Sequence, residues 1–335
     1  MNRATSFVIV FFLLGVAVEA MALPKFAART GAKCQSCHVN PTGKGMRLEF
    51  GQTYGRDDIT LPTFKAQTDY EEFSTALTSN LSIGGDFRNI FQFESKDNSS
   101  SFFQMQGDVY FDFRLNKKFR IYFDKGLYSG FELMGIAKVL PLEGYVKVGK
   151  FMPAYGTRID DHNAYIRGGP FGGMFVGPYA ALSSYPAGLK FGERSEDTGI
   201  ELGFAPSIFT LNIGFFNGTP GSGISGISTS KDKTFALRGD ATFKISETVV
   251  NLGGSYYNSP SGADRQTFYG AFGSIGLFEA LSLHGEIDFL NVRKSGSTTN
   301  GFMLWTEANY MVVQGVDLKV GYQFYDPDRE IANGS

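Results

Sequence analysis

LSLHGEIDF, residues 281–289, sets Leu281, Leu283, Ile287 and Phe289 on odd positions and His284, Glu286 and Asp288 on even ones. Successive side chains of an extended strand point to opposite faces, so this nonapeptide reads as a strand with one apolar and one charged face. The same period recurs in both directions along the chain. In IFTLNIGFF (208–216), Phe209, Leu211, Ile213 and Phe215 oppose Thr210, Asn212 and Gly214. In TFALRGDATFKI (234–245), Phe235, Leu237, Phe243 and Ile245 oppose Arg238, Asp240, Thr242 and Lys244. NLSIGGDFRNIFQF (80–93) sets Leu81, Ile83, Phe87, Phe91 and Phe93 against Asp86, Arg88 and Gln92.

Between residues 77 and 326 the alternation, punctuated by short turns (Asn116-Lys117, Pro206-Ser207, Gln314-Gly315) and longer polar loops, predicts hairpins in an up-and-down antiparallel barrel of about 14–16 strands. Alternation does not say which face meets what. A soluble barrel or a sandwich hides its apolar side chains, whereas a membrane barrel turns them to lipid. The inner set would be Asp108, Asp112, Arg114, Arg120, Glu132, Lys138, Glu201, Arg238, Lys244, Glu286, Glu307 and Lys319. So many charges of both signs are too costly to bury dry. The expectation is an all-β transmembrane barrel with a polar lumen, since a closed sheet is the β-structure that leaves no open edge in lipid.

Composition agrees with strands and turns: 33 Phe, 16 Tyr and 42 Gly in 335 residues. The 31 basic and 33 acidic residues leave a net charge of −2, which gives no electrostatic reason to expect nucleic acid as a partner. Residues 1–22 read as an export signal, with Arg3 before the apolar run 7–18 and Ala20-Met21-Ala22 as the cleavage site. The run is short of the ~20 residues of a membrane anchor, the competing reading. Residues 151–185 lose the alternation and carry Pro153, Pro170 and Pro178, which predicts a loop folded into the lumen. The tail DPDREIANGS does not end in a strand.

Both cysteines lie in TGAKCQSCHVNPTGKG (30–45), as Cys34-Gln35-Ser36-Cys37-His38. C-x-x-C-H is the c-type haem attachment pattern, with two thiols for the vinyl groups and an adjacent imidazole for the iron. A thioredoxin-type disulfide would sit beside a βαβ pattern, which is missing here. A zinc site would need a second ligand pair. One covalent haem c on Cys34 and Cys37 with His38 as proximal ligand is therefore expected. Met46 or His162 is a candidate for the other axial position, and His284 a weaker one. Arg29 and Arg47 flank the motif as candidate partners for haem propionates. The stretch from residue 23 to 75 is short for a self-sufficient domain, at about 50 residues. It is expected to dock in or under the mouth of a barrel formed by residues 76–335.

LPKFAARTGAKCQSCHVNPTGKGMRLEFG resembles the opening of the fused outer-membrane cytochrome-porins, best known from the iron-oxidising bacteria, over about residues 23–55. YVKVGKFMPAYGTRIDDHNAYIR (145–167) is similar to a stretch in porins of the phosphate-selective type, where it leads to an inward loop. The resemblance implies Cys34 and Cys37 as thioether sites and His38 as iron ligand, and names no distal ligand. It also implies the outer membrane of a Gram-negative bacterium, with lipid, a periplasmic electron-carrier cytochrome and an extracellular donor or acceptor as partners, ferrous iron among them. HVNPTGKGMR departs from the stretch that usually follows the family's motif. The alternative function is a porin for small polar solutes with the haem segment as plug, sensor or docking handle.

Overall fold

A computed structural model describes residues 24–61, 74–94, 98–126, 131–158, 164, 166, 189, 191, 195–220, 227–261 and 263–331. Among them are thirteen strands in one antiparallel meander, against the about 14–16 that alternation predicts. They are β1 (Leu81–Glu94), β2 (Ser99–Arg114), β3 (Phe119–Gly126), β4 (Phe131–Leu140), β5 (Gly144–Phe151), β6 (Asp197–Phe204) and β7 (Phe209–Phe216). β8 (Thr234–Ile245), β9 (Thr248–Ser261), β10 (Asp264–Leu277), β11 (Leu281–Lys294), β12 (Ser297–Val313) and β13 (Val316–Asp326) follow. Each pairs with its sequence neighbour. Connections of two to four residues join β2–β3, β4–β5, β6–β7, β8–β9, β10–β11 and β12–β13 along one rim. The connections 152–196 and 217–233 leave from strand ends at the opposite rim.

The sheet is rolled, and the segments it encloses show it. Residues 152–157 bond to the inner faces of four separate strands. The Met152 N–H donates to Glu132 on β4 (2.8 Å), the Gly156 N–H to Ser255 on β9 (2.8 Å) and the Tyr155 hydroxyl to Asp288 on β11 (2.7 Å), while Arg238 Nε on β8 donates to the Gly156 carbonyl (2.8 Å). The N-terminal segment reaches both ends of the meander. Arg29 and Lys25 pair with Asp317 on β13, and Met46 lies against Gly84 on β1, where an added methyl would stand 3.6 Å from Met46 Cγ.

The two faces of the wall are inside-out relative to a soluble protein. Phe102 is 81% exposed, Val320 73% and Ile200 48%, within a band that includes Phe87, Phe209, Leu252 and Tyr322. Glu132, Glu201, Glu286, Asp288 and Glu307 are buried on the lumen side. Apolar surface on this scale is stable only against lipid, and the inner charges then have a wet or paired interior, the arrangement of a transmembrane barrel. No helix among the described residues is long and apolar enough to cross a membrane.

The interior is filled near its middle. Met152, Ala154 and Tyr155 are buried, as are Ala164, Ile166, Leu189 and Phe191. Tyr155 stacks on Phe191 with ring centroids 4.3 Å apart. The described part of 151–185 thus lies inside the lumen, as its broken alternation predicts.

Candidate functional site

The N-terminal segment forms three short helices. α1 (Pro24–Thr30) begins at a proline, whose fixed φ suits the first turn, and stops at Gly31 with φ 73°, a helix-terminating conformation that glycine adopts without strain. It lies so close to β10 that a side chain at Gly276 would strike the Ala28 carbonyl. α2 (Cys34–Cys37) is a single turn closed by the His38 N–H donating to the Cys34 carbonyl (2.9 Å). α3 (Glu49–Tyr54), continued by a wide turn Gly55–Ile59, packs onto it, with Gly51 leaving room for the Cys37 carbonyl.

Residues 38–47 fold back as a tight loop, with the Val39 N–H donating to the Met46 carbonyl (3.0 Å) and the Leu48 N–H to the Cys37 carbonyl (2.8 Å). The segment is tied to the short-turn rim and to the inner wall. Lys33 Nζ donates to the Ala205 carbonyl (2.5 Å), and the Gln314 amide to the carbonyls of Asp57 and Thr60 (2.8 Å each). Lys147 on β5 donates to Asn40 (3.3 Å) and Thr42 (3.1 Å) while paired to Glu201 at 2.9 Å.

A cavity open to solvent separates this segment from the wall. Cys34, Cys37 and His38 line it, with Phe26, Tyr54 and Phe272 giving aromatic surface. Arg47, Arg158 and Arg238 face it as cations. Both cysteines are free thiols, held three residues apart on one turn and so on one face. Burial pushes both thiols up, and at Cys34 the nearby Arg238 and Arg158 pull the other way. Burial first, and then the Arg47 charge, holds the His38 imidazole down at about 4. The backbone of Gly45 and Lys44 beside the ring pulls it the other way, and His38 Nδ1 itself is buried with no hydrogen bond of ordinary geometry. A neutral ring nitrogen beside two free thiols in an aromatic cavity with cations is a donor set that suits a covalent haem.

The structure brings together Cys34, Cys37, His38 and Arg47 on this cavity. Met46 is 4% exposed, does not line the cavity, and turns toward Gly84 and Tyr110, because the tight loop returns it beside Val39. Arg29 also lies off the cavity, spent on Asp317 (2.5 Å) and the Ala280 carbonyl (3.3 Å). His284 is buried on β11 with neither ring nitrogen partnered, opposite Glu307 in register and away from the cavity. His162 lies outside the described residues. Arg158, Arg238 and Tyr145 also line the site, though no motif in the sequence marks them for it. The only sequence signal for Arg158 is its place in a stretch without alternation.

No family model and no curated protein matches the chain. In structure it is similar to the anion-selective porin from Comamonas acidovorans, with a TM-score of 0.45 and 12% identity over 73% of this chain and 78% of that one. It is similar also to OmpT of Vibrio cholerae (0.36, 10%, 76% and 89%) and to a mutant of the Rh. blastica porin (0.36, 10%, 73% and 100%). With scores this low the likenesses add no weight, and the barrel stands on its own strand pairing and inverted wall.

Proposed function

We propose that this protein is an outer-membrane electron-transfer cytochrome-porin of a Gram-negative bacterium. In this reading Cys34 and Cys37 hold one haem c by thioether bonds and His38 ligates its iron. The observation that carries it is the convergence of two free thiols and a buried imidazole nitrogen on one aromatic cavity inside the barrel. The haem would supply a one-electron Fe(II)/Fe(III) couple.

The chain's own residues prepare the site. The α2 turn presents both thiols to one side, and burial keeps them protonated until they are bonded. His38 is neutral at any pH above about 4, so its lone pair is free for a metal. Phe26, Tyr54 and Phe272 supply apolar lining, and the apolar outer wall insulates the interior from lipid. The segment's anchorage at the short-turn rim supports a reading in which that rim is the periplasmic one, where an electron-carrier cytochrome would dock. An extracellular donor or acceptor would approach from the long-loop rim. Ferrous iron is the donor that the family resemblance suggests, which would make the protein an iron:cytochrome oxidoreductase.

A solute porin with residues 24–61 as its plug is the second reading, favoured by the charged inner face and by the many bonds from that segment to the wall. Sealed liposomes separate the two. With a reductant inside and an impermeant oxidant outside, the reduced haem band should decay if electrons cross. It should persist if the protein is only a pore.

A further inference from the structure

We infer that Arg158 is the carboxylate anchor of the cavity, binding a propionate of the covalently attached haem with Arg238 beside it. The inference rests on the haem reading above and adds a residue that holds the ligand's charged edge. Arg158 follows the inward residues 152–157, and among the described residues its guanidinium is held through Nη2 alone. Nη2 donates to Thr42 Oγ1 (3.1 Å) and to the Met152 carbonyl (3.3 Å). Nε and Nη1 are sealed from solvent and have no partner. Buried guanidinium N–H groups are expensive to leave unmade, so two idle donors on one cation in a cavity wall mark the place of an acceptor.

Among the described residues the charged groups that face Arg158 are paired elsewhere, and of their carboxylate oxygens Glu201 Oε2 is buried without a hydrogen bond and forms no ion pair with Arg158. From β6, Glu201 takes Lys147 of β5 (2.9 Å) and the Tyr145 hydroxyl (3.0 Å). From β8, Asp240 takes Arg238 and the Asn251 amide (2.9 Å). From β4, Glu132 accepts the Met152 N–H (2.8 Å) and the Asn40 amide (3.5 Å). Cys34 and His38 face it from the N-terminal segment, a thiol and a neutral imidazole. Among the described residues no carboxylate stands within ion-pairing distance of Arg158. Arg158 Nε and Nη1 thus stand ready for an anion held within reach of the Cys34 thiol. The aromatic lining calls for a large apolar body with the charge at its rim. Arg29 is committed to Asp317, and Arg47 is an exposed residue on the cavity.

A carboxylate paired with a guanidinium stays ionised to lower pH, and its protonation raises the potential of a nearby iron. The test is a spectroelectrochemical titration of the full chain in detergent across pH 4 to 9. Arg158→Met should move the step in midpoint potential up by about one pH unit or more. A variant that carries haem with the step unmoved would overturn the inference while leaving the haem reading intact. If Arg158→Met does not fold, Arg158→Lys decides by resonance Raman. Lysine loses the planar donors, so the propionate bending mode should shift, and an unshifted mode would overturn the inference. A haem-free wild type, seen in the absorption spectrum, would overturn the inference and the haem reading together.

Discussion

The wall and the segment it encloses are built on opposite principles. In the wall each residue's role follows from whether its position is odd or even, because lipid outside and a polar lumen inside act on every strand alike. Residues 24–61 have no such period. Their positions depend on individual long-range bonds, such as Lys25 and Arg29 to Asp317 and Lys147 to Asn40 and Thr42. The comparison teaches that the barrel is held by a repeated pattern that tolerates local change, and the cavity by a few contacts that do not.

The largest expected effect lies in the enclosed segment. Replacing Cys34 and Cys37 together by alanine should abolish covalent haem, read by haem stain after denaturation, while the barrel keeps its heat-modifiable mobility in gels. Loss of the barrel as well would show that wall and segment are not separable. The next effect lies where the two meet. Glu201→Gln leaves the buried Lys147 ammonium without its counter-charge, and breaking such a pair costs about 3–5 kcal/mol, measurable by urea unfolding in lipid.

The wall rule itself is sharpened by Ile200→Arg. Ile200 sits mid-strand on the lipid face, where arginine should cost about 2–4 kcal/mol in the same assay. Arginine at Thr210, which lines the cavity on the inner face, should cost far less. The smallest effect is Asp317→Asn. Lys25 and Arg29 are buried and Asp317 keeps about a fifth of its side chain exposed, while the asparagine oxygen can still accept one bond, so docking should weaken by about 1–3 kcal/mol. Faster proteolysis of residues 24–61 in the folded protein would register it.

These contrasts explain what was legible in the sequence. The quoted stretches 80–93, 208–216, 234–245 and 281–289 coincide with β1, β7, β8 and β11, because a half-buried strand writes its environment into alternate residues. The inward course of 152–157 was legible as a failure of that pattern. The C-x-x-C-H spacing named a chemistry but could not place it. Whether Met46 turns to the cavity or to Gly84 is decided by a loop ten residues long and a wall strand about forty residues on. Arg29 meets Asp317 across 288 residues and Arg158 meets Thr42 across 116, distances over which single-sequence patterns carry no information.

The central claim is that a covalent haem occupies the cavity formed by Cys34, Cys37 and His38. The most direct measurement is the pyridine haemochrome spectrum of the purified, folded protein after acid-acetone extraction, made in a host that matures c-type cytochromes. One haem per chain surviving extraction is the predicted result, and a folded, colourless barrel with both thiols open to alkylation would contradict it.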